Sequence, residues 1–371
     1  MIQADKPKRL FPDVGDGSGM SQSDHLYPEE IQLATRNRGM PLEALRFPIT
    51  PTGLHYLLVH YDIPLISTET WRLEIGGMVA NPITLTLDDI RRRPSAKLAV
   101  TMECAGNGRA LLSPRRISQP WLLEAIGTAE WTGTPLHLIL EETGLLTDAS
   151  ELVFTGIDRG VEGGIVQNYQ RSLSIEDSTK EEVLLAYEMN GQPLQPQHGF
   201  PLRLLVPGWY GMTSVKWLSR IEAVPEPFEG YQMVKAYRYA ESINDPGKPI
   251  SLMKVRALMV PPGIPDFLTR ARLVQAGEIL LEGRAWAGGT GVARVEVSTD
   301  GGSTWFETNL DREASPYAWR GWNARWMAEP GNFILSVRAT DGLGNRQPSN
   351  PPWNTGGYCN NMIQSVRVIV E

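Results

Sequence analysis

The sequence predicts an α+β protein, in which a domain of mixed strands and short helices precedes an antiparallel β-sandwich. Its 371 residues are enough for two or three domains. Glycine (36) and proline (28) are frequent, which favours many strands and long ordered loops over helix bundles. The 11 tryptophans are concentrated in the second half, and large aromatic rings on short strands are typical of a sandwich core.

The first domain is predicted over 46–245, after an irregular N-terminal arm over 1–45 that is polar and interrupted by glycine and proline. Thr86 is a candidate N-cap before an acidic first turn, which indicates a short helix, and Gly144 ends a second helical pattern. Strands are predicted at 71–77, 98–102, 151–154 and 202–206, and helices at 86–92 and 135–145.

The second domain is predicted over 250–371, with the boundary in the Asn-, Pro- and Gly-containing segment 244–249. From about 250 onward, short alternating segments are separated by turns such as 300–302 and 341–342. This spacing is typical of an immunoglobulin-like antiparallel sandwich. Its predicted strands are 279–286, 292–298, 332–339 and 362–370.

Composition excludes several classes of protein. Lys and Arg total 35 against 42 Asp and Glu, a net charge of −7, which argues against a nucleic-acid-binding surface. No apolar window reaches the roughly 18–20 residues of a membrane span. The first residues lack the apolar segment of a secretory signal, so we expect a cytoplasmic protein, or a periplasmic one if a leader has been removed. The two cysteines, Cys104 and Cys359, exclude a disulfide scaffold, and we expect no bridge between them.

Cys104 is the first candidate for chemistry, because it ends a predicted buried strand and enters a loop. Gly106 and Gly108 permit positive φ and close approach of the backbone to a ligand. Arg109 would favour the thiolate and could hold an anion. At this point two interpretations stay open: an inert buried cysteine, or a thiolate ligand for a soft metal.

The five histidines form no HExxH pair and the chain has no CxxC, so a zinc site of the usual kind and a c-type haem are not expected. His198 and Arg203 flank the start of a predicted buried strand, and Lys216 follows that strand. They could form a polar rim for a phosphate-bearing cofactor, or they could be scattered surface charges.

The segment 103–109 (ECAGNGR) resembles the cysteine loop of the sulfite oxidase family of molybdenum enzymes. The stretches 121–131 (WLLEAIGTAEW), 182–220 and 298–305 (STDGGSTW) are also similar to that family, in the expected order. The resemblance extends over about 45–371 and implies a molybdopterin-binding domain followed by an immunoglobulin-like dimerisation domain.

The resemblance implies that Cys104 supplies a thiolate to the molybdenum of a molybdopterin cofactor. It places Arg109, Trp121 and Tyr237 with Cys104 at the catalytic centre, where the guanidinium attracts an oxyanion. It assigns the cofactor and its phosphate to Tyr56, His60, Asp158, His198, Arg203, Ser214, Val215 and Lys216.

Two positions depart from the family pattern for sulfite-oxidising members. Leu58 stands where an arginine precedes the histidine matched by His60, and Gly356 stands where another arginine follows the Trp-Asn pair at 353–354. Each lost guanidinium removes an interaction of about 1.5–3 kcal/mol with a bound anion. Three other arginines are candidates to replace them: Arg115, Arg116 and Arg238.

We therefore expect a molybdenum-dependent oxidoreductase that oxidises sulfite, a small oxyanion, to sulfate. Because the chain has no haem of its own, electrons would pass to an external acceptor such as a cytochrome. The resemblance implies a homodimer formed through the sandwich. Two alternatives remain: the same cofactor acting on an S-oxide, an N-oxide or another sulfur compound, or a non-catalytic dimeric module. The sandwich could also be a stand-alone immunoglobulin-like module.

Overall fold

Strands make up most of the ordered structure. The computed structural model describes residues 26–371. Its α-helices are short: α1 (Pro28–Arg36), α2 (Leu87–Arg91), α3 (Leu136–Thr143), α4 (Ile175–Ser178) and α5 (Tyr231–Val234). The strands up to residue 249 are β1 (Leu73–Gly77), β2 (Ile83–Leu85), β3 (Ala96–Glu103), β4 (Ile126–Pro135), β5 (Glu151–Glu162), β6 (Ile165–Ser174), β7 (Leu184–Met189), β8 (Gln192–Pro193), β9 (Arg203–Leu205), β10 (Leu218–Val224), β11 (Arg238–Tyr239) and β12 (Lys248–Pro249).

Two five-stranded sheets build this first part. One has the strand order β2-β1-β10-β5-β6, with β1 parallel to β10. The other has the order β3-β4-β7-β8, with β9 paired to β7. Thr86 caps α2 as predicted, since its side chain accepts a hydrogen bond from the Asp89 amide. Gly144, with φ of 65°, ends α3, which buries Leu136 and Ile139 against the main core.

The remaining strands form the predicted sandwich. They are β13 (Arg256–Met259), β14 (Ile264–Pro265), β15 (Arg272–Val274), β16 (Gly277–Trp286), β17 (Val292–Ser298), β18 (Phe306–Glu307), β19 (Asn309–Leu310), β20 (Arg320–Ala328), β21 (Gly331–Asp341) and β22 (Gln364–Val370). A sheet of order β13-β16-β20-β19 faces one of order β14-β15-β22-β21-β17-β18 across a shared apolar core. The sandwich is not wholly antiparallel, because β15 pairs in parallel with β22.

The prediction of an irregular arm over 1–45 is wrong for its described part. The segment 26–45 contains α1 and a 3₁₀ turn at Leu42–Arg46. This segment contains helix start signals: Pro28 stands at the first helical position, and Glu29 and Glu30 lie in the first turn. The rest of the predicted arm, 1–25, lies outside the described residues.

The two parts of the chain share an apolar core. Trp322 and Trp326 pack inside the sandwich as predicted, but Trp286 and Trp319 belong to the main core of the first part. Cys359 belongs to that core too, and its amide donates to the Ala105 carbonyl at 2.8 Å. The C-terminal part therefore reaches the Cys104 loop directly. Within residues 26–371, no helix has the length and apolar character that a bilayer crossing requires.

Candidate active site

Cys104 lies at the end of β3, in a loop fixed by its own hydrogen bonds. Its amide donates to the Ala125 carbonyl, and its carbonyl accepts from the Asn107 amide, both at 2.9 Å. Gly108 has the expected positive φ, +88°. Gly106 is required for space instead, since a Cβ there would lie 2.7 Å from the Arg109 guanidinium nitrogens. The loop therefore brings the thiol and this guanidinium close together.

Glu103 anchors this loop from behind. Its Oε1 accepts from Arg256 Nη1 at 2.7 Å and from Asn107 Nδ2 at 3.0 Å, and its Oε2 accepts from Trp286 Nε1 at 2.9 Å. Glu103 and Arg256 form a buried ion pair, with side chains 2% and 1% exposed. Since Arg256 and Trp286 lie on β13 and β16, the C-terminal part positions the cysteine loop.

Two cavities meet at Cys104. The first, here called the histidine cavity, contains seven of the eight predicted cofactor-binding residues: Tyr56, His60, Asp158, His198, Arg203, Ser214 and Lys216. The second, here called the Arg109 cavity, contains Arg109, Trp121 and Tyr237. Leu58, His60, Cys104 and Tyr237 line both. Tyr56 and Tyr237 both line the histidine cavity, although about 180 positions separate them in the sequence. The fold thus brings distant residues together at one site.

The histidine cavity holds two buried basic side chains, Arg203 and Lys216, that form no salt bridge within the described part of the chain, although the charge of Asp158 acts on Lys216. Arg203 donates to the carbonyls of His198 and Ser214, both at 3.0 Å, while its Nε has no partner. Lys216 Nζ donates to the carbonyls of Leu58 and Gln197 at 2.8 and 3.0 Å. Burial lowers the pKa of Arg203 to about 10 and that of Lys216 to about 7. Buried basic groups that form no salt bridge fit an anionic group such as a cofactor phosphate.

The other titratable groups of this cavity favour their neutral forms. Burial raises the pKa of Asp158 to about 7, although Lys216 opposes the shift. Burial also lowers the pKa of His60 to about 3 and that of His198 to about 2, with Lys216 adding to both shifts. Near neutral pH these imidazoles are therefore uncharged and each ring offers one donor and one acceptor. Such a mixture of donors and acceptors suits the polar edge of a pterin.

Val215 is the predicted cofactor residue that the structure does not place in the cavity. Its side chain is buried in the main core. Its amide donates to the Thr213 carbonyl at 2.9 Å and its carbonyl accepts from the Leu204 amide at 2.8 Å. With both backbone groups used inside the protein, Val215 holds its neighbours Ser214 and Lys216 in place and has no polar group left for a ligand.

In the Arg109 cavity, the guanidinium is held by oxygen atoms and by an aromatic ring. Arg109 Nε donates to the Gly356 carbonyl at 3.2 Å, and Nη1 donates to Ser118 Oγ at 3.2 Å and to the Gln119 carbonyl at 3.3 Å. Burial raises the pKa of the Cys104 thiol, and the positive charge of Arg109 opposes that rise. The expected effect of Arg109 on the thiolate is present, but burial outweighs it, so a metal would have to displace the proton.

Tyr237 joins the two cavities through His60. Its hydroxyl lies 2.5 Å from His60 Nε2, and burial raises its pKa well above the ordinary value. The hydroxyl therefore keeps its proton across the neutral range. His60 in turn stacks on Tyr169, with ring centroids 4.7 Å apart. Tyr237 has a φ of 54°, a left-handed conformation that is strained for a tyrosine and is frequent at functional sites.

Among the residues that the sequence did not indicate, Tyr358 and Arg171 contact predicted site residues. Tyr358 lines the Arg109 cavity, and the Arg109 guanidinium lies 5.0 Å from its ring centroid. Arg171 is buried behind Tyr237, with its guanidinium 5.6 Å from that ring centroid. Neither residue lies in a motif, and each belongs to the site only because the chain folds back. For Tyr358, the sequence signal is its aromatic ring two positions after Gly356, and Arg171 has no such signal.

None of the three candidate arginines replaces the guanidinium groups absent at Leu58 and Gly356. Arg115 pairs with the buried carboxylate of Glu30. Arg238 donates to the carbonyls at 233, 246 and 247. Arg116 is exposed and does not line the cavity. Arg109 is therefore the single guanidinium among the described residues that line this cavity.

Two family models match the chain. One, described as an oxidoreductase molybdopterin binding domain, matches residues 60–232, and the other, described as a Mo-co oxidoreductase dimerisation domain, matches 248–371. The residues between the two matches, 233–247, overlap the segment 244–249, in which the domain boundary is predicted. The cofactor of the first domain is therefore molybdopterin, whose anionic phosphate and polar edges fit the histidine cavity.

The chain is similar to sulfite oxidases over most of its length. It is 33% identical over 346 residues to human mitochondrial sulfite oxidase, covering 87% of this chain and 62% of that protein. It is 32% identical over 341 residues to Arabidopsis thaliana sulfite oxidase, covering 84% of this chain and 86% of that protein. The crystal structure of the sulfane dehydrogenase SoxCD from Paracoccus pantotrophus matches with a TM-score of 0.77 at 25% identity, over 97% of this chain and 95% of that one. The chain belongs to the sulfite oxidase family of molybdopterin-dependent oxidoreductases.

Proposed function

We propose that the protein oxidises sulfite to sulfate with molybdopterin and passes the electrons to an external acceptor such as a cytochrome. The observation that carries this proposal is the position of Cys104 between a cavity with buried basic side chains that form no salt bridge among the described residues and a cavity with a buried guanidinium. Sulfite and water give sulfate, two protons and two electrons. When bound, the cofactor supplies the two-electron redox chemistry and the oxygen-atom transfer.

The residues of the chain would bind the molybdenum and the rest of the cofactor. Cys104 would bind molybdenum as a thiolate, while Arg203 and Lys216 would neutralise the cofactor phosphate. Asp158, which the resemblance assigns to the pterin nitrogens, lies in the same cavity. These roles follow from the residues' positions in the histidine cavity and from their chemistry.

On the substrate side, Arg109 would bind the oxyanion with its guanidinium N–H groups. The Tyr237 hydroxyl retains its proton, and it can donate that proton to a substrate oxygen when the contact with His60 is one in which His60 Nε2–H donates to the Tyr237 oxygen. Trp121, 5% exposed, forms an apolar part of the wall and helps to exclude water.

The C-terminal part is proposed to form a homodimer. The description of the family model over 248–371 as a dimerisation domain supports this assignment. A second candidate function is the same cofactor acting on an S-oxide, an N-oxide or another sulfur compound. The absence of guanidinium groups at Leu58 and Gly356 favours it, since the Arg109 cavity is less cationic than the family pattern for sulfite.

Sulfite-dependent reduction of ferricyanide, with the molybdenum content of each sample measured, tests the proposal. We expect saturable reduction by the wild-type protein and a KM for sulfite that rises about 10–100-fold in Arg109→Met, because a charged hydrogen bond contributes about 1.5–3 kcal/mol. Arg116→Met is the matched control, since the same charge is lost from an exposed position on the same loop. No sulfite oxidation by molybdenum-replete protein contradicts the proposal, and equal effects of both variants contradict the role of Arg109.

A further inference from the structure

The Arg109 cavity has a mixed lining that differs from a simple anion site. It measures about 260 Å³, whereas one water occupies about 30 Å³ of liquid. This is the volume of several water molecules, and the part of it beside Cys104 would belong to the molybdenum and its ligands. Its walls include apolar side chains at Leu33, Leu58, Val161 and Ala236. Space and apolar surface remain for a part of the substrate that carries no charge.

The same wall carries a fixed carboxylate. Glu162 lines the cavity, and its Oε2 accepts hydrogen bonds from the Tyr61 hydroxyl at 3.1 Å and from Gln232 Nε2 at 3.0 Å. The two donors hold the carboxylate in place, so it cannot swing away from an approaching anion. One guanidinium and one carboxylate therefore face the substrate, and each additional negative charge on the substrate is repelled by Glu162. This balance favours a single negative charge over two.

An organic sulfinate, R–SO₂⁻, has the properties that this lining selects. Its head carries one negative charge on two oxygens, which can accept from Arg109 Nη2, since Nε and Nη1 already donate to the protein. Its sulfur retains a lone pair, as the sulfur of sulfite does. Its carbon substituent can lie against Leu58 and Val161, and each buried methylene strengthens binding about fourfold.

We propose that this site also oxidises organic sulfinates to sulfonates, an inference that rests on the proposed molybdopterin-dependent function. The step R–SO₂⁻ + H₂O → R–SO₃⁻ + 2 H⁺ + 2 e⁻ forms one sulfur–oxygen bond and breaks both O–H bonds of water. The sulfur is oxidised by two electrons, which leave one at a time to a one-electron acceptor such as ferricyanide. Arg109 binds the sulfinate oxygens, and the apolar wall binds the substituent.

Steady-state assays of the molybdenum-replete holoenzyme compare sulfite, methanesulfinate and benzenesulfinate, with ferricyanide as acceptor. We expect kcat/KM to be at least tenfold higher for benzenesulfinate than for methanesulfinate and no lower than for sulfite. Calorimetry supplies a readout that does not depend on turnover: benzenesulfonate, the product, is expected to bind at least tenfold more tightly than sulfate.

The outcomes separate this inference from the proposed function. Oxidation of sulfite alone, with benzenesulfonate binding no better than sulfate, overturns the inference and leaves sulfite oxidation standing. Oxidation of sulfinates alone supports the inference and overturns sulfite as substrate. Failure of all three substrates in molybdenum-replete protein overturns both.

Two variants test the wall itself. Leu58→Arg adds the missing cation and is expected to raise the ratio of kcat/KM for sulfite to that for benzenesulfinate at least tenfold. Leu65→Arg, the same change at a fully exposed leucine outside the cavity, is expected to change the ratio less than twofold. Val161 is 68% exposed, so Val161→Ser will fold. It is expected to lower the ratio of kcat/KM for benzenesulfinate to that for sulfite about threefold, and an unchanged ratio contradicts the assignment of this wall.

Discussion

Replacing Glu103 by glutamine is expected to destabilise the folded protein by about 3–5 kcal/mol, because it leaves a buried cation without its partner. The Glu103 and Arg256 side chains are 2% and 1% exposed, and Oε1 lies 2.7 Å from Nη1. Arg256 has one other acceptor, the Asn360 carbonyl at 3.0 Å, while its Nε and Nη2 have none. Its charge is therefore shielded from solvent and forms no second salt bridge among the described residues.

Urea unfolding followed by tryptophan fluorescence measures this effect. The double variant Glu103→Gln/Arg256→Met is expected to recover at least half of the lost free energy of unfolding, since no unpaired charge stays buried. Glu278→Gln is the matched control: its partner Arg325 is 72% exposed, so the loss is expected to stay below about 1 kcal/mol. A Glu103→Gln protein within about 1 kcal/mol of the wild type refutes the reasoning. A double variant as unstable as the single one refutes the role of the unpaired charge.

Two further predictions concern the cavities. Because the pKa of Asp158 is raised from 3.8 to about 7, the folded protein holds a proton that the unfolded chain releases. The free energy of unfolding of cofactor-free protein is therefore expected to fall between about pH 4 and 7, by up to about 1.4 kcal/mol per pH unit from this group, and Asp158→Asn is expected to flatten that fall. Denaturant melts at pH 5 and 7 check this, and an unchanged pH dependence in the variant contradicts it. Tyr358→Leu is expected to raise the KM for sulfite about 5–30-fold by removing a cation–π contact of about 1–2 kcal/mol, whereas Tyr358→Phe, which keeps the ring, is expected to stay within twofold. An equal effect of both changes in steady-state assays assigns the role to the hydroxyl instead.

Local signals were sufficient for much of the fold. Three elements are determined by nearby residues alone. The signals are Thr86 before an acidic turn for α2, Gly144 after an apolar helical pattern for α3, and the apolar run 98–102 for β3. The structure confirms all three. The helix α1 was missed because the arm was judged by its overall polarity, although Pro28 and the acidic residues after it are start signals. The parallel pairing of β15 with β22 depends on strands almost 100 positions apart in the sequence, which no local pattern encodes.

The candidate site likewise has residues that a local sequence segment indicates and residues that only the tertiary structure brings to it. Cys104 and Arg109 belong to one short segment, whose resemblance to a known loop suggests them as site residues, and the structure places both on the Arg109 cavity. Tyr358 reaches Arg109 only because the C-terminal segment folds over the cysteine loop, where Asn360 Nδ2 donates to the Gly108 carbonyl at 2.8 Å. Val215 is adjacent to Ser214 and Lys216 in the sequence, but its side chain is buried in the core while Lys216 lines the cavity. Contacts across the two parts of the chain, and the direction of each side chain, require the tertiary structure.

The assignment of Cys104 as the protein ligand of molybdenum is the centre of this account, and X-ray absorption at the molybdenum K-edge tests it most directly. Samples of wild-type protein and Cys104→Ser would be matched for molybdenum content, and a Cys359→Ser sample would control for the loss of a buried thiol elsewhere. We expect one fewer sulfur neighbour around molybdenum in Cys104→Ser than in the wild type and in Cys359→Ser. An identical sulfur shell in wild-type and Cys104→Ser protein would contradict the assignment.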